Sequence, residues 1–167
     1  PPPIAGKYAT KEALFSPPLS ERDPLEASLI LVDDGDDTLP SGSPGVTSDG
    51  CQPLINAAEV AGNIALMQRS GCLFTDMVAN AEDAGAIAVI VVNNQPGGPI
   101  VMGGTNPDIT IPALMLGDVD GEAIIAEVLG GGTVNATMGL APAGFSAVTF
   151  YTAPNENAVE TDLVLVD

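Results

Sequence analysis

Arg69 is the only basic residue between Arg22 and the C-terminus of a 167-residue chain that holds four Lys and Arg against 22 Asp and Glu. It is followed by Ser70, Gly71, Cys72, Leu73 and Phe74, in a turn between a strand-like run and a helical pattern. The first turn of a helix offers free backbone N–H groups. A guanidinium beside them can receive a peptide carboxylate or carbonyl. The competing expectation is an ion pair from Arg69 to one of the many acids. Phe74 falls on the apolar face of the helical pattern, which suits a core position. A second candidate surface is the loop 93–106. Asn94, Gly97, Gly98, Gly103 and Gly104 give it a backbone that a partner can approach closely. A plain surface loop is the alternative. A phosphate cradle is excluded, because neither GxGxxG nor GxxxxGK[ST] occurs.

Cys51 and Cys72 do not form a CxxC motif. A disulfide between them would close a loop and place the chain outside the reducing cytosol. Two buried free thiols are the alternative. Asp33, Asp34, Asp36 and Asp37 form an acidic run that suggests calcium, but the residues after Asp36 break the EF-hand spacing. No cofactor is expected, with calcium the one candidate. Enzyme chemistry has few routes. The chain has no His, which removes Ser-His-Asp and Cys-His systems and the commonest general base. There are no Asp-Thr/Ser-Gly loops, and a Ser-Lys dyad would have to use Lys7 or Lys11. A formal charge of −18 argues against nucleic acid and anionic membrane partners. No apolar run approaches the roughly 18 residues of a spanning helix. Asn135-Ala136-Thr137 is a glycosylation sequon, meaningful only in a eukaryotic secretory route.

The elements that must position these residues follow from periodicity. Hydrophobic residues make up 46% of the chain, enough for one core. Residues 1–24 hold six prolines and predict an extended arm. Residues 25–140 form the core, and 141–167 supply C-terminal strands. Strands are predicted over 28–32, 63–68 and 86–92, with a solvated loop over 33–50. Phe74, Met77, Val78, Ala81 and Ala84 share one helical face, and Gly85 suits the end of that helix. Strand, helix and strand in this order form a parallel βαβ unit. Pro112 interrupts the strand-like run 109–116, so a strand start or an edge is implied. Asp118 is the expected N-cap of a second helix, with Asp120 and Glu122 favourably placed against its dipole. That helix stops at Gly130. Further strands are expected at 133–138, 145–152 and 158–166, which gives about seven strands and two helices. The start at Pro1 reads as a processed or excised fragment.

The segment from Glu59 to Leu116 resembles the protease-associated (PA) domain. Val60 to Leu66 is similar to that family's "v-x-G-k-I-a-L" strand, and Arg69 to Phe74 to its "R-G-x-C-x-F" turn. Asn80-Ala81 with Ala84-Gly85-Ala86 is similar to "nA-x-x-AGA", and Val89 to Asn94 to "v-i-v-x-N-n". Pro99 to Gly104, Ile109 to Ala113 and Asp120-Gly121 follow in the family's order, and Asp49-Gly50-Cys51 resembles the upstream "D-x-C" that often supplies a second cysteine. Two positions depart. Ser70 stands where the family usually has Gly, and Met77 where it often has Lys.

The resemblance implies an α+β fold of the swivelling β/β/α type, a partly open barrel or sandwich flanked by helices. It implies no catalytic residues. It implies an accessory module of a secreted or surface protein, of which a bacterial extracellular protease is the expected parent. The implied partner is an extended peptide or protein substrate, or the neighbouring catalytic domain of the same chain. By resemblance to sorting-receptor members, Arg69, Ser70, Gly71, Cys72 and Phe74 belong to a peptide-contacting surface. A purely structural spacer and a calcium-stabilised adhesion module are the rival expectations.

Overall fold

A computed structural model of the chain describes residues 4–140 and 146–152. Among the described residues eight strands form one sheet, which runs in order Gly6–Ala9 (β1), Ser146–Thr152 (β8), Val134–Leu140 (β7), Leu25–Leu31 (β3), Ile64–Gln68 (β4), Ala88–Val92 (β5), Ala113–Leu116 (β6) and Lys11–Glu12 (β2). Its centre is parallel. Strand β3 (Leu25–Leu31) pairs with β4 (Ile64–Gln68), β4 with β5 (Ala88–Val92), and β5 with β6 (Ala113–Leu116). The βαβ expectation holds, with helix α2 (Phe74–Asp83) crossing from β4 to β5. A one-turn helix, α1 (Ala57–Val60), precedes β4.

Side-chain alternation divides the sheet into two apolar layers. Ala65, Met67, Val89, Val91, Ala113 and Met115 point to one face and pack on Met77, Val78 and Ala81 of α2. Ile64, Leu66, Ala88, Ile90, Leu114 and Leu116 point to the other and meet Ile124 and Ile125 of helix α3 (Asp118–Leu129). A strand covered on both faces reads as a continuous apolar run, which is why β5 is legible as AVIVV. Strands β7 (Val134–Leu140) and β8 (Ser146–Thr152) are antiparallel and curl over the second layer, so that Ala136, Met138, Val148 and Phe150 join the same core. The sheet is thereby a nearly closed barrel, an α+β fold.

The N-terminal segment is extended, and its extension is used. Strand β1 (Gly6–Ala9) pairs with β8, and β2 (Lys11–Glu12) with β6, so one segment supplies both edges of the sheet. A 3₁₀ turn at Leu19–Glu21 and the buried Ile4 and Leu19 anchor it to the core. Pro112 precedes β6, as a strand-start proline should. The second helix begins one residue earlier than expected. Gly117 is its N-cap and Asp118 its first residue, with no side-chain cap. The reason is steric. Gly117 packs against Gly97 and Gly98, where a Cβ would lie 3.2 Å from the Gly97 carbonyl oxygen, and the Asp118 amide donates to that same oxygen. The expected strand at 158–166 lies outside the described residues.

Candidate functional site

The chain leaves β4 toward α2 on one face of the sheet and leaves β6 toward α3 on the other. A crevice at the carboxyl ends of parallel strands, where successive connections diverge, is the usual binding position of such sheets. Here a cleft of about 260 Å³ occupies it. Gln68, Arg69 and Ser70 line it from the end of β4, Val92, Asn93 and Asn94 from the end of β5, Glu122 from α3, and Pro44, Gly45 and Val46 from the long loop.

Arg69 is positioned by three contacts. Its amide donates to the Val92 carbonyl at 2.8 Å, which continues the β4–β5 ladder by one step. Its Nη1 donates to Asn93 Oδ1 at 2.9 Å. Its guanidinium carbon lies 5.6 Å from the centre of the Phe74 ring, a cation–π distance. Among the described residues no acid pairs with Arg69; the amide oxygen of Asn93 takes that place. Asn93 is only 4% exposed, and both ends of its amide are used. Nδ2 donates to the Gly98 carbonyl, and Oδ1 also accepts from the Gln95 amide. Phe74 is half-buried, packed against the α2 layer on one side and under Arg69 on the other.

The opposite wall is tied by a disulfide and by buried carboxyls. Cys51 and Cys72 are bonded. Asp49 accepts the amides of Val46 and Cys51, and Asp34 accepts those of Asp36 and Gln52. Both acids are buried, and the charge of Asp49 acts on Asp34. Burial pushes the Asp34 carboxyl above the usual range, the Asp36 and Gln52 amides pull against that, and the Asp49 charge adds to the rise. Asp33 and Asp36 cap the amides of Gly35 and Thr38, and Asp37 accepts from the Thr38 hydroxyl, so these carboxylates close turns of the loop. Among the described residues no three His, Cys, Asp or Glu groups are arranged to hold a cation.

The structure thus brings Arg69, Ser70 and Asn94 together in the cleft. Gly71 packs against Leu39 of the loop, and Gly97 and Gly98 back Asn93 and Gly117. Gly103 and Gly104 do not line the cleft; Gly104 packs beside Thr75 and Phe15, at the other side of the α2 start. Sequence reasoning singled out Asn94 and missed its neighbour. The available signal was a polar residue, Asn93, closing an otherwise apolar strand. Gln68 and the 44–46 segment carry no such signal in the sequence, and the position of Glu122 speaks there only to the helix dipole.

Comparison with known proteins gives a consistent result. Residues 27–124 match the PA domain family. The chain is 35% identical over 85 residues to an ER degradation-enhancing alpha-mannosidase-like protein 3 from Xenopus laevis, covering 46% of this chain and 9% of that protein. It is 38% identical over 79 residues to a receptor homology region, transmembrane domain- and RING domain-containing protein 1 from Oryza sativa subsp. japonica, covering 46% of this chain and 15% of that one. In structure it is similar to an aminopeptidase from Aneurinibacillus sp. strain AM-1, with a TM-score of 0.54, 24% identity, 89% of this chain covered and 33% of the other. The chain therefore spans a small part of the relatives it matches.

Proposed function

Because the chain belongs to the PA domain family, we propose that it is a non-catalytic recognition module that holds an extended peptide or protein segment in the cleft around Arg69. The observation that supports this reading is the fixed guanidinium. Asn93 engages one of its nitrogens and Phe74 supports its plane, while the side chain still lines the cleft. A guanidinium carries five N–H donors, so donors remain for a peptide carbonyl or carboxylate. The relatives' names refer to unrelated activities, and the shared part is a small fraction of each. That pattern favours a shared accessory role over a shared reaction. The disulfide favours an oxidising compartment, hence an extracellular or cell-surface location. A parent extracellular protease, with the module governing which substrates reach the active site or packing on the catalytic domain, is the reading we adopt from the family resemblance.

Arg69 also ties the turn after β4 to the end of β5, and this contact alone favours a second reading, a structural spacer. Deleting the module from its parent separates the two. A recognition module changes substrate preference; a spacer changes folding or secretion and leaves preference alone. Titrating short peptides into isotope-labelled protein tests the cleft itself. Shifts clustered at Arg69, Ser70, Asn93 and Asn94 are expected, and shifts that avoid them contradict the assignment.

A further inference from the structure

Two residues of opposite charge, Arg69 and Glu122, line the cleft, and among the described residues no ion pair joins them. Arg69 is taken up by Asn93 and Phe74, and Glu122 lines the same cleft from α3 without an ion pair to any described cation. The Glu122 side chain is exposed, and its backbone is held by the residue before it. Its neighbour Gly121 packs directly on the Val92 side chain at the end of β5, in a space that no Cβ could share. That contact sets α3 against the sheet and brings Glu122 to the cleft that Arg69 also lines. The other three basic residues, Lys7, Lys11 and Arg22, lie on β1, on β2 and after the 3₁₀ turn, and none of them lines the cleft. The whole chain carries a formal charge of −18, so its field draws cations toward it and repels anions.

A neutral peptide backbone offers Arg69 a carbonyl and Glu122 only an uncharged N–H, whereas a cationic group offers Glu122 a charge-assisted hydrogen bond. We infer that Glu122 makes the cleft selective for a peptide bearing a cationic group, an ammonium or guanidinium, within one or two residues of the carbonyl that Arg69 holds. Two sources supply this chemistry, a free N-terminus and a Lys or Arg side chain. The inference rests on the peptide reading above and adds the charge of the ligand to it.

Four peptides of equal length serve as probes: acetylated tetra-alanine amide, the same peptide with a free N-terminus, and acetylated amides with Lys or with Glu at the second position. Each is titrated into the labelled protein at low salt. The cationic peptides are expected to bind roughly two- to fivefold more tightly than the neutral one, the range of an exposed ion pair. The Glu peptide is expected to bind most weakly. The free-amine and Lys peptides show which source fits. In Glu122→Gln the ratio of cationic to neutral affinity should fall to the small remainder that the general field sustains, and in wild type the ratio should fall as salt screens the pair. Equal affinity for cationic and neutral peptides in wild type overturns the inference while leaving the peptide reading intact. So does a cationic preference that is undiminished in Glu122→Gln, which would belong wholly to the general field. No binding by any peptide removes the peptide reading itself, and this inference with it.

Discussion

In the proposed reading Arg69 serves both fold and recognition. Replacing it with Ala removes a charge-assisted hydrogen bond to Asn93 and the contact with Phe74. A loss of about 1–2 kcal/mol in chemical denaturation is expected, together with loss of peptide binding. Arg69→Lys keeps the charge but not the planar fork, so it should recover less binding than stability. Asp34 makes a different prediction. Its carboxyl is raised in the fold, chiefly by burial. Below the ordinary Asp value of about 4 the group is protonated in folded and unfolded chains alike. Between that value and the raised one the folded chain holds the proton and the unfolded chain has lost it. The contribution to stability is therefore present at low pH and lost as pH rises through the folded value. A melting temperature that falls as pH is raised from about 4 toward 7, with a flatter profile in Asp34→Asn, is the expected outcome. Parallel profiles in the two proteins would assign the slope to other carboxylates.

At the scale of elements, the cleft depends on where α3 and the long loop are held. Gly121→Ala forces a methyl group onto Val92. Overpacking of this kind costs about 1–3 kcal/mol and should push α3 away from β5, which thermal unfolding and the amide shifts of 118–124 would report. The Cys51–Cys72 bond joins the loop to the start of α2. Its removal by a double Ser substitution should cost about 3 kcal/mol by the loop-closure argument. These elements were legible in unequal measure. The parallel strands, α2 and the βαβ crossover declare themselves through runs and periods of apolar residues, because their signals are local. Strands β1 and β2 do not. They are four and two residues long, lie among prolines, and owe their pairing to Phe150 and Met115, which no local pattern can announce. The start of α3 differed by one residue because Gly117 answers to a loop some twenty residues earlier, not to its own helix. The site was half legible for the same reason. Arg69 and its turn form a contiguous motif, whereas Asn93 and Glu122 reach the cleft only once the sheet has brought the strand ends and α3 together.

The molecule as a whole combines a formal charge of −18 with a well-filled barrel. Self-repulsion of that size weakens the compact state, and salt screens it. The melting temperature at neutral pH should therefore rise when sodium chloride is raised from 0.02 to 0.5 M, an outcome opposite to that of a chain held by surface ion pairs. In the proposed reading the same field bears on recognition, since it disfavours the approach of anionic partners and leaves Arg69 as the one cleft residue that could hold a carboxylate. The most direct measurement of the account is a titration of labelled protein with the neutral and cationic tetrapeptides, following the backbone amides and the Arg69 side-chain signals. The account predicts saturable shifts centred on Arg69, Asn93 and Glu122, abolished by Arg69→Ala in a variant that still shows a folded spectrum. Saturable shifts elsewhere on the barrel, or binding that survives Arg69→Ala, would contradict it.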